Sequence, residues 1–139
     1  MHAKIQWHDN AHFTAVADSG HPVPLDGPPE GGGANRGARP MELVLMGLGG
    51  CASYDVVNIL SKSRQAVTDC VTEIDAERAE AVPQVFTRIH LHFRVTGRDL
   101  DPTKVARAVS LSADKYCSAS IMLERAGVTI EHDFEIVEA

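Results

Sequence analysis

The chain opens with alternating apolar and polar residues. Ala3–His8 and His12–Ala17 follow the period of two that sends successive side chains to opposite faces of a strand, and Asp9-Asn10 between them suits a tight hairpin turn. His21–Leu25 predicts a short edge strand, because its two prolines withhold ladder N–H groups. Residues 26–39 then bring Gly27, Pro28, Pro29, Gly31, Gly32, Gly33 and Gly37, which predicts a mobile loop. Pro40 suits a first helical turn and Glu42 the positive end of its dipole, so the pattern predicts a helix over 40–64.

That helix is apolar almost all round. Leu43, Met46, Gly47, Gly50, Tyr54, Val57 and Leu60 make one face, and Val44, Leu48, Ala52, Val56 and Ile59 cover much of the other. A helix of that pattern is expected to be buried almost all round. One small domain cannot enclose it alone, so an extensive homodimer interface is expected. Two long strands, 67–80 and 85–95, follow around a connection at Ala81-Val82-Pro83-Gln84. In the second, Ile89, Leu91, Phe93 and Val95 share a packed face, while Arg88, His90, His92 and Arg94 face water. Asp101-Pro102 caps and opens an amphipathic helix. After a break near Cys117, a shorter helix over 118–125 is closed by Gly127, and a strand over 129–137 ends the chain. The order β-β-β-α-β-β-α-α-β predicts an α+β fold, a largely antiparallel sheet wrapped around a long buried central helix.

The chain has 139 residues, which fits a single domain spanning 1–139. A net charge of −6 supplies no basic footprint, which argues against nucleic acid or an anionic membrane surface as partner. No apolar run follows a basic start, and Asp55 interrupts the longest apolar stretch, so neither a secretory signal nor a bilayer span is expected. Three scattered cysteines are too few for a disulfide framework, which points to a cytoplasmic location. His90-x-His92 could suggest a metal, but period-two spacing on a solvent face is ordinary for an exposed strand, so no metal is expected. Gly31-Gly-Gly33 lacks the Lys-Ser/Thr ending of a phosphate loop, so no nucleotide cofactor is expected either. Trp7 and Phe13 are expected as core anchors, and Cys70, alternating with Thr68 and Thr72, as a structural residue.

Cys51 and Cys117 are the candidates for chemistry. Each alone packs as a small hydrophobe would. Cys117 stands at the cap of the 118–125 helix, where free N–H groups and the dipole favour a thiolate. Cys51 lies within the long helix and gains no such help, and Asp55 one turn on would oppose its ionisation.

The segment Arg39-Pro-Met-Glu-Leu-Val-Leu-Met-Gly-Leu-Gly-Gly-Cys51, followed far downstream by Lys115-Tyr-Cys117-Ser-Ala-Ser, resembles the OsmC/Ohr family, and its wording is nearest to the YhfA-like branch. The resemblance runs over nearly the whole chain. It implies an intertwined homodimer and a thiol-dependent peroxidase reducing organic hydroperoxides in oxidative stress defence. Cys51 would be the peroxidatic thiol and Cys117 the resolving one, with an external dithiol such as a lipoyl group as reductant and no bound cofactor. In the peroxidase members a glutamate directly follows the proline that begins the helix. Here that place is Met41, and Glu42 stands a rotation of about 100° away. Those members also carry an arginine in the N-terminal strands, whereas residues 1–35 here contain none, which leaves Arg36 and Arg39 as the candidates. These departures keep a second reading open: a weakly active or non-catalytic member of the family that binds a small apolar ligand.

Overall fold

The computed structural model describes residues 1–139 and divides into two compact units, Met1–Leu45 and Met46–Ala139. In the first, β1 (Ala3–Asp9), β2 (His12–Ala17) and β3 (Pro22–Leu25) form an antiparallel sheet in that order. Asn10 takes a left-handed conformation at the turn between β1 and β2. The prolines of β3 sit on the sheet edge, as their missing donors require. Trp7 is 58% exposed instead of serving as a core anchor, its indole N–H donating to the Asn10 carbonyl at 3.0 Å. The reason is plain: β1 has no buried residue, so this sheet has no core of its own beneath it.

The Gly/Pro-rich segment is better tied than its composition predicts. Asp26 is buried, and its carboxylate accepts the backbone N–H groups of Gly27, Ala34 and Arg36 at 2.8, 3.1 and 3.2 Å. Arg36 Nε donates to the same carboxylate at 2.8 Å, and its terminal nitrogens reach Asp9. Pro29–Gly31 adds a short 3₁₀ turn, and Leu25 bridges to Ala38. Composition reports the turns, but a single buried carboxylate gathers them.

Helix α1 (Pro40–Lys62) begins where Pro40 predicts, and Glu42 accepts the Arg39 N–H at 2.7 Å to cap it. It passes by length and apolar composition as a membrane-crossing segment, a test that the core helix of a soluble protein also passes. Its burial differs from the expected all-round pattern: Leu48, Gly49, Ala52, Val56 and Leu60 are buried, while Val44, Met46, Tyr54 and Val57 are exposed. The buried set follows i, i+4 spacing, the single stripe that one sheet can cover. Leu48, Val56 and Leu60 are fully enclosed, each contributing about 1.5–3 kcal/mol of hydrophobic stabilisation.

The second unit holds β4 (Ala66–Arg78), β5 (Phe86–Arg98) and β6 (Thr129–Glu138). β4 pairs antiparallel with β5, and β5 pairs parallel with β6. A parallel pairing needs a crossover, which α2 (Pro102–Leu111) and α3 (Ser118–Arg125) supply. Asp101 caps α2 by accepting the Thr103 N–H at 2.9 Å. Ile89, Leu91, Phe93 and Val95 enter the core as the alternation requires, joined by Val105, Ala108 and Val109 of α2. The α+β class thus stands, with two three-stranded sheets in place of one.

Candidate functional site

Cys51 follows the buried stripe of α1, one residue before Ala52 and one turn before Asp55. Two features seat this part of the helix on β4. Gly49 leaves space for Ile74, whose Cδ1 would lie 2.6 Å from an added Cβ. The Ser53 and Thr72 hydroxyls meet at 2.6 Å.

Cys117 arrives from the other direction. Between α2 and α3 the chain widens into a π-type turn over Ser112–Tyr116, closed by the Cys117 N–H donating to the Ser112 carbonyl at 2.8 Å. The Ser112 hydroxyl donates to the Ala52 carbonyl at 3.2 Å, pinning this turn to α1. Cys117 then caps α3, its sulfur accepting the Ser120 N–H at 3.4 Å.

The result is a cluster of three. A ligating atom from each of Cys51, Asp55 and Cys117 lies within 4.8 Å of the other two. Both cysteines are free thiols, Cys51 half-buried and Cys117 wholly buried. A disulfide requires about 2.05 Å between sulfurs, so oxidation would draw the two thiols together from a separation of at most 4.8 Å.

Electrostatics here disfavours negative charge. Burial pushes the Cys117 thiol up to about 11, and Cys51 and Asp55 push the same way. The Ser120 N–H acts in the direction expected of a helix cap, but burial outweighs it, which corrects the expectation of a thiolate at this position. Asp55 is raised above the ordinary carboxylate range by burial, against a smaller opposing effect of the Ser112 hydroxyl. Its Oδ2 is buried without a hydrogen-bond partner. Asp55 also lines a cleft of about 440 Å³, together with Asn58, Ile59, Lys62, Leu111 and Tyr116.

The remaining sequence candidates have partners elsewhere. Arg36 is held by Asp9 and Asp26, Arg39 donates to Asn35 Oδ1 at 2.6 Å and the Gly37 carbonyl at 3.1 Å, and Glu42 caps α1. Cys70 pairs with Val95 across the β4–β5 ladder, its thiol raised chiefly by burial. His90 and His92 both engage Asp133, and Arg94 engages Glu135, on the outward face of the second sheet. Asp55 is the site member that sequence reading undervalued. Its position one turn after Cys51 was the available signal.

The OsmC-like protein family model matches residues 31–133, a span that includes both site cysteines and Asp55. The chain belongs to the OsmC-like family. Protein YhfA of Escherichia coli K12 is 48% identical over 139 residues, covering 100% of both chains. A hypothetical protein from Aquifex aeolicus VF5 shares the fold of this OsmC-like chain, with a TM-score of 0.86 and 25% identity over 99% of this chain and 96% of that one. The organic hydroperoxide resistance protein OhrB of Bacillus subtilis superposes with a TM-score of 0.62 at 17% identity, covering 97% and 98% of the two chains. At that identity the likeness to OhrB concerns the fold.

Proposed function

We propose that this OsmC-like protein is a cytoplasmic, homodimeric thiol peroxidase that reduces organic hydroperoxides in oxidative stress defence. The observation that carries the reading is the convergence of Cys51 and Cys117 from distant parts of the chain. Cys51, the more exposed of the two, attacks the peroxide oxygen: its sulfur is oxidised to the sulfenic acid as the O–O bond breaks and the alcohol departs. The Cys117 sulfur then displaces water from Cys51 to give the disulfide, and an external dithiol such as a lipoyl group reduces it, becoming a disulfide itself. Asp55, within 4.8 Å of the Cys51 sulfur, also lines a cleft walled partly by Ile59, Leu111 and Tyr116, where an alkyl or aryl hydroperoxide could lie. The organic hydroperoxide resistance proteins that share this fold support the same chemistry. A second copy is favoured by the exposed apolar side chains Ile5, Trp7, Met46, Tyr54 and Val57.

The test is consumption of cumene hydroperoxide with dihydrolipoamide as reductant. Turnover is expected in the unmodified protein and absent from Cys51→Ser; equal turnover in both would remove the proposal.

One observation favours the second reading, a binding protein for a small apolar ligand. Arg36 and Arg39 are occupied by Asp9, Asp26, Asn35 and Gly37, and Met41 replaces the acid that follows the proline in peroxidase members. Under that reading an apolar ligand copurifies and peroxide is not consumed.

A further inference from the structure

Asp55 has no structural explanation of the usual kind. A carboxyl group on an apolar helix is costly to bury, and such groups are normally hydrogen-bonded throughout. Here Oδ2 is buried and unpartnered, while the side chain lies beside two thiols and also lines the cleft. Apolar residues of similar size would fill the position without that penalty.

The chemistry of the paired thiols requires what Asp55 can provide. Neither oxidation step proceeds without a proton transfer, because a thiol must lose its proton to attack and the departing oxygen must gain one. Cys117 cannot rely on being a thiolate, since burial holds its proton on. Within residues 46–139, the groups near the Asp55 carboxyl are Cys51 on its own helix, Ser112 of the π-type turn and Cys117 beyond it, while Lys62 and Tyr116 line the same cleft. Of these, Asp55 alone brings a carboxyl group beside both sulfurs. Its separation from each, at most 4.8 Å, is within reach of one intervening water or a small side-chain rotation.

We propose that Asp55 is the proton relay for both thiols. In the first step its carboxylate takes the Cys51 thiol proton as the sulfur attacks the peroxide, and returns it to the alkoxide that leaves. In the second it takes the Cys117 thiol proton as that sulfur attacks the Cys51 sulfenic acid, and returns it to the departing hydroxide as water. Each step leaves Asp55 as it began, so a single carboxylate serves the whole oxidative half of the cycle. This inference rests on the peroxidase reading.

The experiment measures the two steps separately in single-turnover reactions with cumene hydroperoxide: sulfenic acid formation at Cys51 by dimedone trapping, and disulfide formation by mass spectrometry. Asp55→Asn is expected to slow both by about 10²–10³-fold at pH 7 and to remove the acid limb of each pH profile, with Asp55→Glu restoring part of each rate. Unchanged rates and profiles in Asp55→Asn overturn the relay, as does a loss confined to one step. In the unmodified protein, carboxyl ¹³C titration provides a check independent of any variant. The Asp55 resonance is expected to titrate above the ordinary value of about 4, and a midpoint at or below it overturns the proposal. Absence of both sulfenic acid and disulfide in the unmodified protein is a different result, because it removes the peroxidase reading itself.

Discussion

Ser120 donates its backbone N–H to Cys117 Sγ at 3.4 Å, and the thiol is nevertheless driven up to about 11. A helix cap is a directed but weak influence, whereas complete removal from water penalises the thiolate from every side. At pH 8 a thiol with that pKa is ionised about 200-fold less than a free cysteine. Iodoacetamide under native conditions is therefore expected to modify Cys117 more slowly, by about 10-fold or more, than the same residue in the unfolded chain, the greater nucleophilicity of a high-pKa thiolate offsetting part of the ionisation deficit. Mass spectrometry of peptides from timed quenches checks it; comparable rates would refute the buried, protonated assignment. The sign for stability follows from linkage. The raised pKa favours the fold below the ordinary thiol range and loses that contribution as pH climbs toward 11, so unfolding at pH 10–11 should be less alkali-sensitive in Cys117→Ala.

His92 and Asp133 make a cross-strand pair on the outer face of the second sheet, with 2.6 Å between Nδ1 and Oδ1. Asp133 is the first cause of a raised His92 pKa, and Glu135 adds to it. The stabilisation is fully present below the ordinary histidine value of about 6.5 and fades as pH rises through the folded-state value. A histidine NMR titration is expected to place His92 above that ordinary value. Asp133→Asn should bring the midpoint back toward it, and a midpoint that stays put would show that the pair contributes nothing.

Asp26 organises the segment between β3 and α1, and its carboxylate is held well below the usual range, first by Arg36 and then by the backbone N–H groups of Gly27, Arg36 and Ala34. A depressed carboxyl pKa contributes stability above the unfolded-state value near 4, and that contribution is lost as pH falls. Asp26→Asn keeps the shape but turns an amide toward donors that need an acceptor. Thermal unfolding should show a lower melting temperature at pH 7 and a shallower decline between pH 5 and pH 3 than in the unmodified protein. Identical curves would mean that the carboxylate is not the organiser.

The glycines of α1 are not equivalent. An added Cβ at Gly47 meets nothing within 4 Å, whereas at Gly49 it comes within 2.6 Å of Ile74 Cδ1. Alanine at Gly47 should gain about 1 kcal/mol of helix propensity. At Gly49 the same gain is offset by forcing Ile74 into another rotamer, at about 1–3 kcal/mol. Urea unfolding should therefore rank Gly47→Ala above Gly49→Ala by about 1–3 kcal/mol. The reverse order would mean that α1 does not approach β4 as closely as described.

Local pattern determined much of this protein. The hairpin of β1 and β2, the start of α1 at Pro40, the packed face of β5, the Asp101 cap and the Cys117 cap are all legible because each depends on residues a few positions apart. The two cysteine contexts, taken together, also pointed to the OsmC-like family. Other features required the tertiary structure. Which stripe of an apolar helix is covered depends on the sheet lying against it, so Leu48, Ala52 and Val56 are buried while Tyr54 is not. Whether Gly- and Pro-rich chain is mobile depends on a partner such as Asp26, and whether a capped thiol ionises depends on its burial. The meeting of Cys51, Asp55 and Cys117 belongs to the same class. A residue's propensity is fixed by its neighbours in the chain, but its charge state and its reacting partners are set by what folding brings across space.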